Sequence, residues 1–230
     1  MPIQRFIERH YDHIPLEEID SFFGFVEPTT LYGGRIYKGA ELSRYDVRSM
    51  YEMGIHVRLP LTNHYVDRDE YEENEAFLER YHLEGNSVII TNDDLARWIR
   101  EDFPKYRIEA SVIKNINNPR KVEKYFKLYD TVILPMDANN DEPFLKSLDN
   151  KQNITLFANA GCALTCPSKI CYASVSKANK KPSQGEFKCS AKIKERDQIG
   201  MYDFDLEYLQ SLGFSRYKLL RPRQGNMTGF

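Results

Sequence analysis

The stretch GNSVIITNDDLARWIREDFPKYRIEASVI, residues 85–113, changes its pattern twice along its length. It opens with a short run rich in β-branched residues, which predicts a strand over 87–91. The Asn-Asp pair after that run can cap an amphipathic helix, which must end before Pro104. A second β-rich run covers 106–113. A strand, a helix and a strand in this order predict two parallel strands joined by a crossover helix.

The same alternation recurs along the whole chain. Further predicted strands cover 21–26, 55–62, 131–135, 154–159 and 217–221, and helical stretches lie at 43–53, 67–82, 120–128 and 203–212. Ser43 can cap the first of these helices, and Gly54 can end it. Six or seven such units are typical of a TIM-type (β/α) barrel, although the chain is shorter than the roughly 250 residues of a full one. We therefore expect a single α/β domain over 1–230, a truncated or incomplete barrel of mostly parallel strands.

Charge and hydropathy exclude several classes of protein. The 32 Lys and Arg residues nearly balance the 34 Asp and Glu residues, so the net charge gives no argument for nucleic-acid binding. The sequence opens MPIQRFIERHYDH, which has no apolar leader core, and its apolar runs are too short to span a membrane. We expect a cytoplasmic protein that does not insert into membranes.

The four cysteines, Cys162, Cys166, Cys171 and Cys189, all lie in one stretch directly after a predicted strand. In α/β proteins, ligands collect in the loops at the carboxyl ends of strands. In a reducing cytoplasm, such a cluster indicates a metal site. The alternatives are inert buried thiols and disulfides. The spacing C-x3-C-x4-C-x17-C has no C-x-x-C pair and no neighbouring His, which favours an iron–sulfur cluster over zinc. We expect all four to converge on one metal centre.

The cysteines belong to a loop insertion at about 162–196. Its polar part, 177–196, predicts a long functional loop, and we expect the stretch from Ser174 to Lys188 to be mobile. Its lysines indicate either a solvated face or a collar for an anionic partner such as RNA. They are Lys177, Lys180, Lys181, Lys188, Lys192 and Lys194.

Polar residues in or at the ends of different predicted strands are candidates for a substrate site. Arg58 lies inside an apolar strand and needs a partner, either Glu109 on a neighbouring strand or a bound substrate. Asn63 and Asn159 each terminate a strand on the side where barrel sites form. We expect Arg58, Asn63, Asn159 and Lys218 to face one mouth of the barrel and to bind substrate.

Three more positions carry chemistry of their own. His64 follows Asn63 and is a candidate catalytic acid or base, the alternative being a His that is merely exposed or hydrogen-bonded. Arg35 follows two glycines and either binds an anion or marks a plain turn. Lys218 and Arg221, around the last strand end, indicate anion binding near the site or an ion pair at the barrel rim.

Two segments resemble a known family. Residues 159–167, NAGCALTCP, look like the N-E-G-C-x-x-x-C-P segment of the collagenase-like peptidase superfamily, the peptidase U32-like group. Residues 209–221, LQSLGFSRYKLLR, resemble its L-x-x-L-G-I-x-x-F-K-I-x-G-R segment. Weaker matches follow the same order upstream, at Gly33-Gly34-Arg35, Leu61-Thr62-Asn63 and 85–90.

The resemblance implies a TIM-like barrel that holds a four-iron four-sulfur (4Fe-4S) cluster on four cysteines. The group includes proteins for oxygen-independent hydroxylation of ubiquinone precursors and of pyrimidines in tRNA and rRNA. We expect an oxidoreductase that hydroxylates RNA or a small aromatic or pyrimidine substrate. The alternatives are a non-catalytic iron–sulfur accessory subunit, paired with a catalytic paralogue, and a zinc-stabilised nucleic-acid-binding module. Literal peptidase activity is not expected, because a cysteine nucleophile needs a poised His and the cysteine stretch contains none.

Overall fold

The computed structural model describes residues 1–166, 168–180, 186–190 and 201–220. Its centre is a sheet of seven parallel strands: β1 (Ser21–Phe23), β2 (His56–Leu59), β3 (Ser87–Ile90), β4 (Arg107–Ala110), β5 (Thr131–Ile133), β6 (Ile154–Phe157) and β9 (Arg216–Lys218). Two short strands, β7 (Asn159–Ala160) and β8 (Tyr202–Asp203), form a separate antiparallel pair. Each of the seven sheet strands overlaps a run that the sequence predicts.

The strands follow one another across the sheet in the order β1-β2-β3-β4-β5-β6-β9, and each pairs in parallel with the next. The sheet curls into an incomplete barrel, and the prediction of a truncated TIM-type barrel is confirmed. Its two edge strands, β1 and β9, are not paired with each other. A cavity lined by residues of both edge strands lies between them.

Helices connect the strands. In chain order they are α1 (Ile3–His10), α2 (Arg44–Glu52), α3 (Arg68–Glu73), α4 (Glu75–Arg80), α5 (Asp93–Asp102), α6 (Pro119–Phe126), α7 (Glu142–Lys146), α8 (Cys171–Lys180) and α9 (Leu206–Ser211). Short 3-10 turns occupy Leu16–Glu18, Val112–Lys114, Met136–Asn140 and Lys151–Asn153. Within the described ranges, no helix is both long and apolar enough to cross a bilayer.

The capping signals work as the sequence predicts. Ser43 accepts a hydrogen bond from the backbone N–H of Asp46, and the Asp46 carboxylate accepts one in return from the Ser43 N–H, so α2 begins with a complete capping box. Gly54 follows α2 with a φ of +75°, the left-handed conformation that ends many helices. Asn92 caps α5 by accepting from the N–H groups of Asp94 and Leu95.

Two helical predictions need correction. The continuous helix expected over 67–82 is split into α3 and α4 at Asn74, whose side chain donates to the Glu70 carbonyl at 2.7 Å and accepts from the Thr29 hydroxyl at 2.6 Å. Such side-chain bonds compete with the backbone ladder of a helix. The mobile loop expected from Ser174 to Lys188 is wrong for 174–180, which belong to α8.

The inner face of the sheet carries polar side chains as well as apolar ones. Side chains two apart on a strand point to the same face, and the register places Glu109 opposite Thr131. Glu109 is 1% exposed, and its Oε2 accepts hydrogen bonds from Thr131 at 3.2 Å and from Thr155 at 3.0 Å. The barrel therefore places charge in its interior, where each charged group needs a partner.

Candidate functional site

The cysteine stretch follows β6 and β7, at the carboxyl end of the sheet. Cys162 and Cys166 lie at a turn, Cys171 is the first residue of α8, and Cys189 lies within 186–190. All four are partly exposed and carry thiols rather than disulfides. The insertion predicted at about 162–196 thus contains a turn and a helix, while 181–185 and 191–196 lie outside the described residues.

The other three cysteines act electrostatically on Cys171. Burial raises the pKa of Cys171 to about 11, with further contributions from Cys162, Cys189 and Cys166. The other three cysteines therefore contribute to the electrostatics at the start of α8.

Hydrogen bonds draw the two ends of the cysteine stretch together. The Ser190 hydroxyl lies 3.2 Å from the Cys166 Sγ, and the Lys169 backbone N–H donates to the same sulfur at 3.4 Å. Burial would raise the pKa of Cys166, but these hydrogen bonds outweigh it and the pKa is lowered. The Lys188 N–H donates to the Ser174 hydroxyl at 3.1 Å, which ties the chain next to Cys189 to α8.

The donor set of the cysteine stretch is all sulfur, which is the ligand type of zinc and of iron–sulfur clusters. Among the residues with described positions, no three His, Cys, Asp or Glu side chains are grouped closely enough to hold one metal ion. The ligands of a zinc ion all bind the same atom at about 2.3 Å for sulfur. The four cysteines of a 4Fe-4S cluster each bind a different iron atom, so they stand farther apart. The expectation that all four cysteines converge on one metal centre stays a prediction.

Helix α8 is bonded to the loops that follow β1 and β2. The side chain of Asn63 donates to the carbonyls of Ser176, Thr30 and Tyr32, at 3.0, 2.9 and 3.2 Å. Asn179 on α8 donates to the carbonyls of Tyr32 and Arg35 at 3.1 and 2.8 Å. The segment that carries Cys171 is therefore held against the mouth of the barrel.

The approach of these loops depends on a glycine. A Cβ added to Gly33 would lie 2.4 Å from the Thr62 carbonyl oxygen, closer than any side chain can come. Only glycine lets the two backbones meet here. The Gly-Gly-Arg match in the sequence thus marks a contact that places Arg35 beside the barrel interior.

His64 contacts α8. Its Nδ1 lies 3.0 Å from the Ser176 hydroxyl, and its backbone N–H donates to the same oxygen at 3.3 Å. Burial lowers the pKa of His64, and the nearby Lys114 ammonium lowers it further. The ring is therefore neutral at physiological pH, and its described contact is with the helix; a catalytic role stays a prediction.

Asn63 and Asn159 are both buried and hydrogen-bonded to backbone. Asn159 donates to the Leu220 carbonyl at 2.8 Å and accepts from the Leu220 N–H at 2.8 Å. These bonds fix the chain after β9 to the chain after β6. Of the four residues expected at one mouth, the structure brings Arg58 and Lys218 together and uses the two asparagines as ties between loops.

Arg58 has the carboxylate partner that the sequence predicts. Its guanidinium lies 3.4 Å from the Glu109 Oε1 and 3.1 Å from the Asp20 Oδ2. Arg35 forms two hydrogen bonds of 2.6 Å to the Glu41 carboxylate and lies over the ring of Phe25. Both arginines are thus charge-compensated within the protein.

A cavity of about 460 Å³ opens between the edge strands β1 and β9. Four cationic side chains line it: Arg35, Arg58, Arg216 and Lys218. Lys218 lies over the Phe23 ring, with its Nζ 4.1 Å from the ring centroid, and burial lowers its pKa to about 7. The cavity collects three of the predicted substrate-binding residues, and the sixth, Arg221, lies outside the described residues.

The sequence reasoning missed Arg216. The signal was present, because Arg216 and Lys218 are two residues apart in a strand and therefore share a face. The predicted strand began at residue 217 and so left Arg216 outside it. Burial lowers the pKa of Arg216 and Arg58 lowers it further, while the carboxylates of Glu109 and Asp20 raise it. The Nε atoms of Arg58 and Arg216 are both buried.

Comparisons with known proteins support the fold. No protein-family model matches the chain, and no curated protein matches it significantly. Among solved structures, the one entitled "The Structure of the U32 Peptidase Mk0906" matches with a TM-score of 0.62 and 13% sequence identity. The match covers 91% of this chain and 87% of the other. Over nearly its whole length, the chain therefore has the fold of a U32 peptidase structure.

Proposed function

We propose that the chain is an iron–sulfur protein whose 4Fe-4S cluster is bound by Cys162, Cys166, Cys171 and Cys189. The observation that supports this proposal is the placement of four free, partly exposed cysteines in one stretch beside the carboxyl ends of the strands, whose two ends meet where the Ser190 hydroxyl lies 3.2 Å from the Cys166 sulfur. An all-sulfur donor set is the ligand type that iron–sulfur clusters use. Cluster assembly also suits the reducing cytoplasm that the sequence predicts.

A bound cluster would supply electron transfer next to the barrel mouth. The function we favour is that of an oxidoreductase that hydroxylates a substrate without molecular oxygen. Its substrate is RNA or a small aromatic or pyrimidine molecule, as the resemblance of the cysteine segment implies. Within this proposal the chain's own residues position the cluster: Asn63 and Asn179 hold α8, and α8 holds Cys171.

The first test is anaerobic purification and reconstitution, with iron and sulfide counted per chain. We expect four of each and a brown chromophore. Replacing any one of the four cysteines with Ser should lower the bound iron, whereas Thr165→Ser, an exposed change between two of the cysteines, should not. Stoichiometric zinc with no bound sulfide would contradict the proposal and favour the zinc-stabilised nucleic-acid-binding module.

The second test separates the enzyme from an accessory subunit. If the loaded chain alone turns over a pyrimidine or aromatic substrate, it is the enzyme. If turnover requires a paralogous subunit and survives when this chain's own cavity cations are replaced, the chain is the iron–sulfur accessory subunit of a heterodimer. Cluster content must be measured in both cases, so that loss of the cluster is not mistaken for loss of a partner.

A further inference from the structure

We propose that the cavity between β1 and β9 binds a small organic anion with a flat apolar body, whose charged group is held by Arg216 and Lys218. The anion site stands on the geometry of the cavity alone. That this ligand is also the substrate rests on the proposed function.

The first argument is that two of the four cations in the cavity wall lack a direct ion pair, although the carboxylates of Glu18, Asp20, Glu41 and Asp46 also line the cavity. Arg35 is compensated by Glu41, and Arg58 is compensated by Glu109 and Asp20. Arg216 and Lys218 form no ion pair and no side-chain hydrogen bond with any residue in the described ranges. The Nε atoms of Arg58 and Arg216 are also buried without a hydrogen-bond acceptor.

Cations buried without partners are costly. Arg216 and Lys218 are half-buried, so part of this cost applies to both, and an anionic ligand would supply a direct partner. Arginine suits this task because its planar fork can bind a carboxylate or phosphate with two hydrogen bonds.

The second argument is the placement of the two cations. Arg216 and Lys218 share the inner face of β9, opposite Thr155 and Phe157 of β6. The Lys218 side chain reaches across the opening to the Phe23 ring on β1. The two charges therefore lie on one side of the gap in the barrel, where a ligand can enter without displacing a strand.

The third argument is the apolar part of the wall. Phe6, Tyr11 and Phe22 line the cavity and pack against one another, with ring centroids 5.5 to 6.0 Å apart. Aromatic walls favour a flat apolar body. A volume of about 460 Å³ is within the usual range for small-molecule sites, roughly 300–1,000 Å³.

Lys218 makes the site sensitive to pH. Burial lowers its pKa to about 7; the facing Glu109 carboxylate raises that pKa, while Arg58 and Arg35 lower it. The ammonium form attracts an anion and the neutral amine does not. The affinity for an anion should therefore be highest below pH 7 and should fall as the pH rises through 7.

The test measures binding of benzoate and phenyl phosphate by calorimetry, with neutral benzamide as the matched uncharged probe. We expect benzoate or phenyl phosphate to bind and benzamide to bind about ten-fold more weakly or not at all, a difference of about 1.4 kcal/mol or more. The stronger of the two anions identifies the head group. Equal binding of benzamide would overturn the proposal.

Variants locate the site. Arg216→Gln and Lys218→Gln should each weaken anion binding by about ten-fold, whereas Lys146→Gln, an exposed lysine on α7, should leave it unchanged. Thermal unfolding of each variant shows that it is folded. Unchanged binding in both cavity variants would overturn the proposal, as would RNA oligonucleotide binding that depends on these residues in the absence of benzoate or phenyl phosphate binding.

The measurement is made on the chain with and without reconstituted iron. Anion binding to a chain that cannot assemble a cluster would support the cavity site and contradict the proposed function. A chain that assembles a cluster but binds neither anion would support the proposed function and contradict the cavity site. The two proposals therefore fail separately.

Discussion

On the closed side of the sheet, the buried carboxylate of Glu109 has two hydroxyl donors and a guanidinium around it, and its strand is bonded to neighbours on both sides. On the open side, Arg216 and Lys218 lie on an edge strand and form no ion pair in the described ranges, although the Glu109 carboxylate acts on both at longer range. Both regions belong to one interior, and they differ in how their charge is compensated. The difference separates charges that stabilise the barrel from charges that are available to a ligand.

The largest expected effect is on the closed side. Glu109→Gln removes the buried negative charge beside Arg58, and we expect it to lower the free energy of unfolding by about 3–5 kcal/mol, the usual cost of breaking a buried ion pair. Urea denaturation measures the change. Glu52→Gln, which breaks an exposed pair with Arg48, should change stability by less than about 1 kcal/mol. Equal losses in the two variants would mean that the two regions do not differ as described.

On the open side, removing a charge should increase the free energy of unfolding instead of lowering it. Lys218→Met removes a half-buried cation that forms no ion pair in the described ranges, and we expect it to raise the free energy of unfolding by roughly 1–3 kcal/mol near neutral pH. The folded-state pKa of Lys218 is about 7, below the value of 10.5 for an unperturbed lysine, so the unfolded chain binds more protons between these values. Stability of the wild-type chain should therefore rise with pH in this window, by at most about 1.4 kcal/mol per pH unit from this group.

The gain in the free energy of unfolding from Lys218→Met should accordingly shrink as the pH rises from 7 towards 9.5. This range lies below the pH at which most tyrosines titrate. Chemical denaturation of both proteins at several pH values measures it. A variant that is less stable than wild type at pH 7 would show that Lys218 has a structural partner, and the contrast between the two sides would be lost.

The smallest expected effect concerns the wall of the open side. Asp46 lines the cavity, completes the cap of α2 and accepts a hydrogen bond from the Ile3 N–H at 2.8 Å, which attaches α1 to α2. Ser43→Ala should cost about 1 kcal/mol through loss of the cap. Ser211→Ala, at the exposed end of α9, should be nearly neutral. If Ser43→Ala also weakens anion binding, α1 and α2 help to shape the cavity.

The sequence was a good guide to the sheet and to caps, because those features depend on residues close together in the chain. All seven strands were found from β-rich runs between turn residues, and Ser43 and Asn92 were identified as helix caps. The pairing of Arg58 with Glu109 followed from the cost of an isolated buried charge. These inferences needed no knowledge of the tertiary contacts.

Features held by distant contacts were missed. α8 is polar and its sequence predicts a loop, but Asn63 bonds its Ser176 carbonyl across 113 positions of sequence. The lack of an ion pair at Arg216 likewise depends on where the tertiary structure places the carboxylates. A local sequence pattern does not contain that information. The substrate roles of Asn63 and Asn159 and the catalytic role of His64 stay predictions, because the described contacts of all three are with other parts of the protein.

The attachment of α8 has a consequence for the order of maturation. In small zinc domains, the metal supplies the folding energy and the apo chain is unfolded. Here Cys171 is carried by a helix that the barrel loops already hold, and all four thiols are partly exposed. Folding would come first and loading second, so the apo chain should present a prepared acceptor to whatever delivers iron and sulfide, and chelation should empty the site without unfolding the barrel.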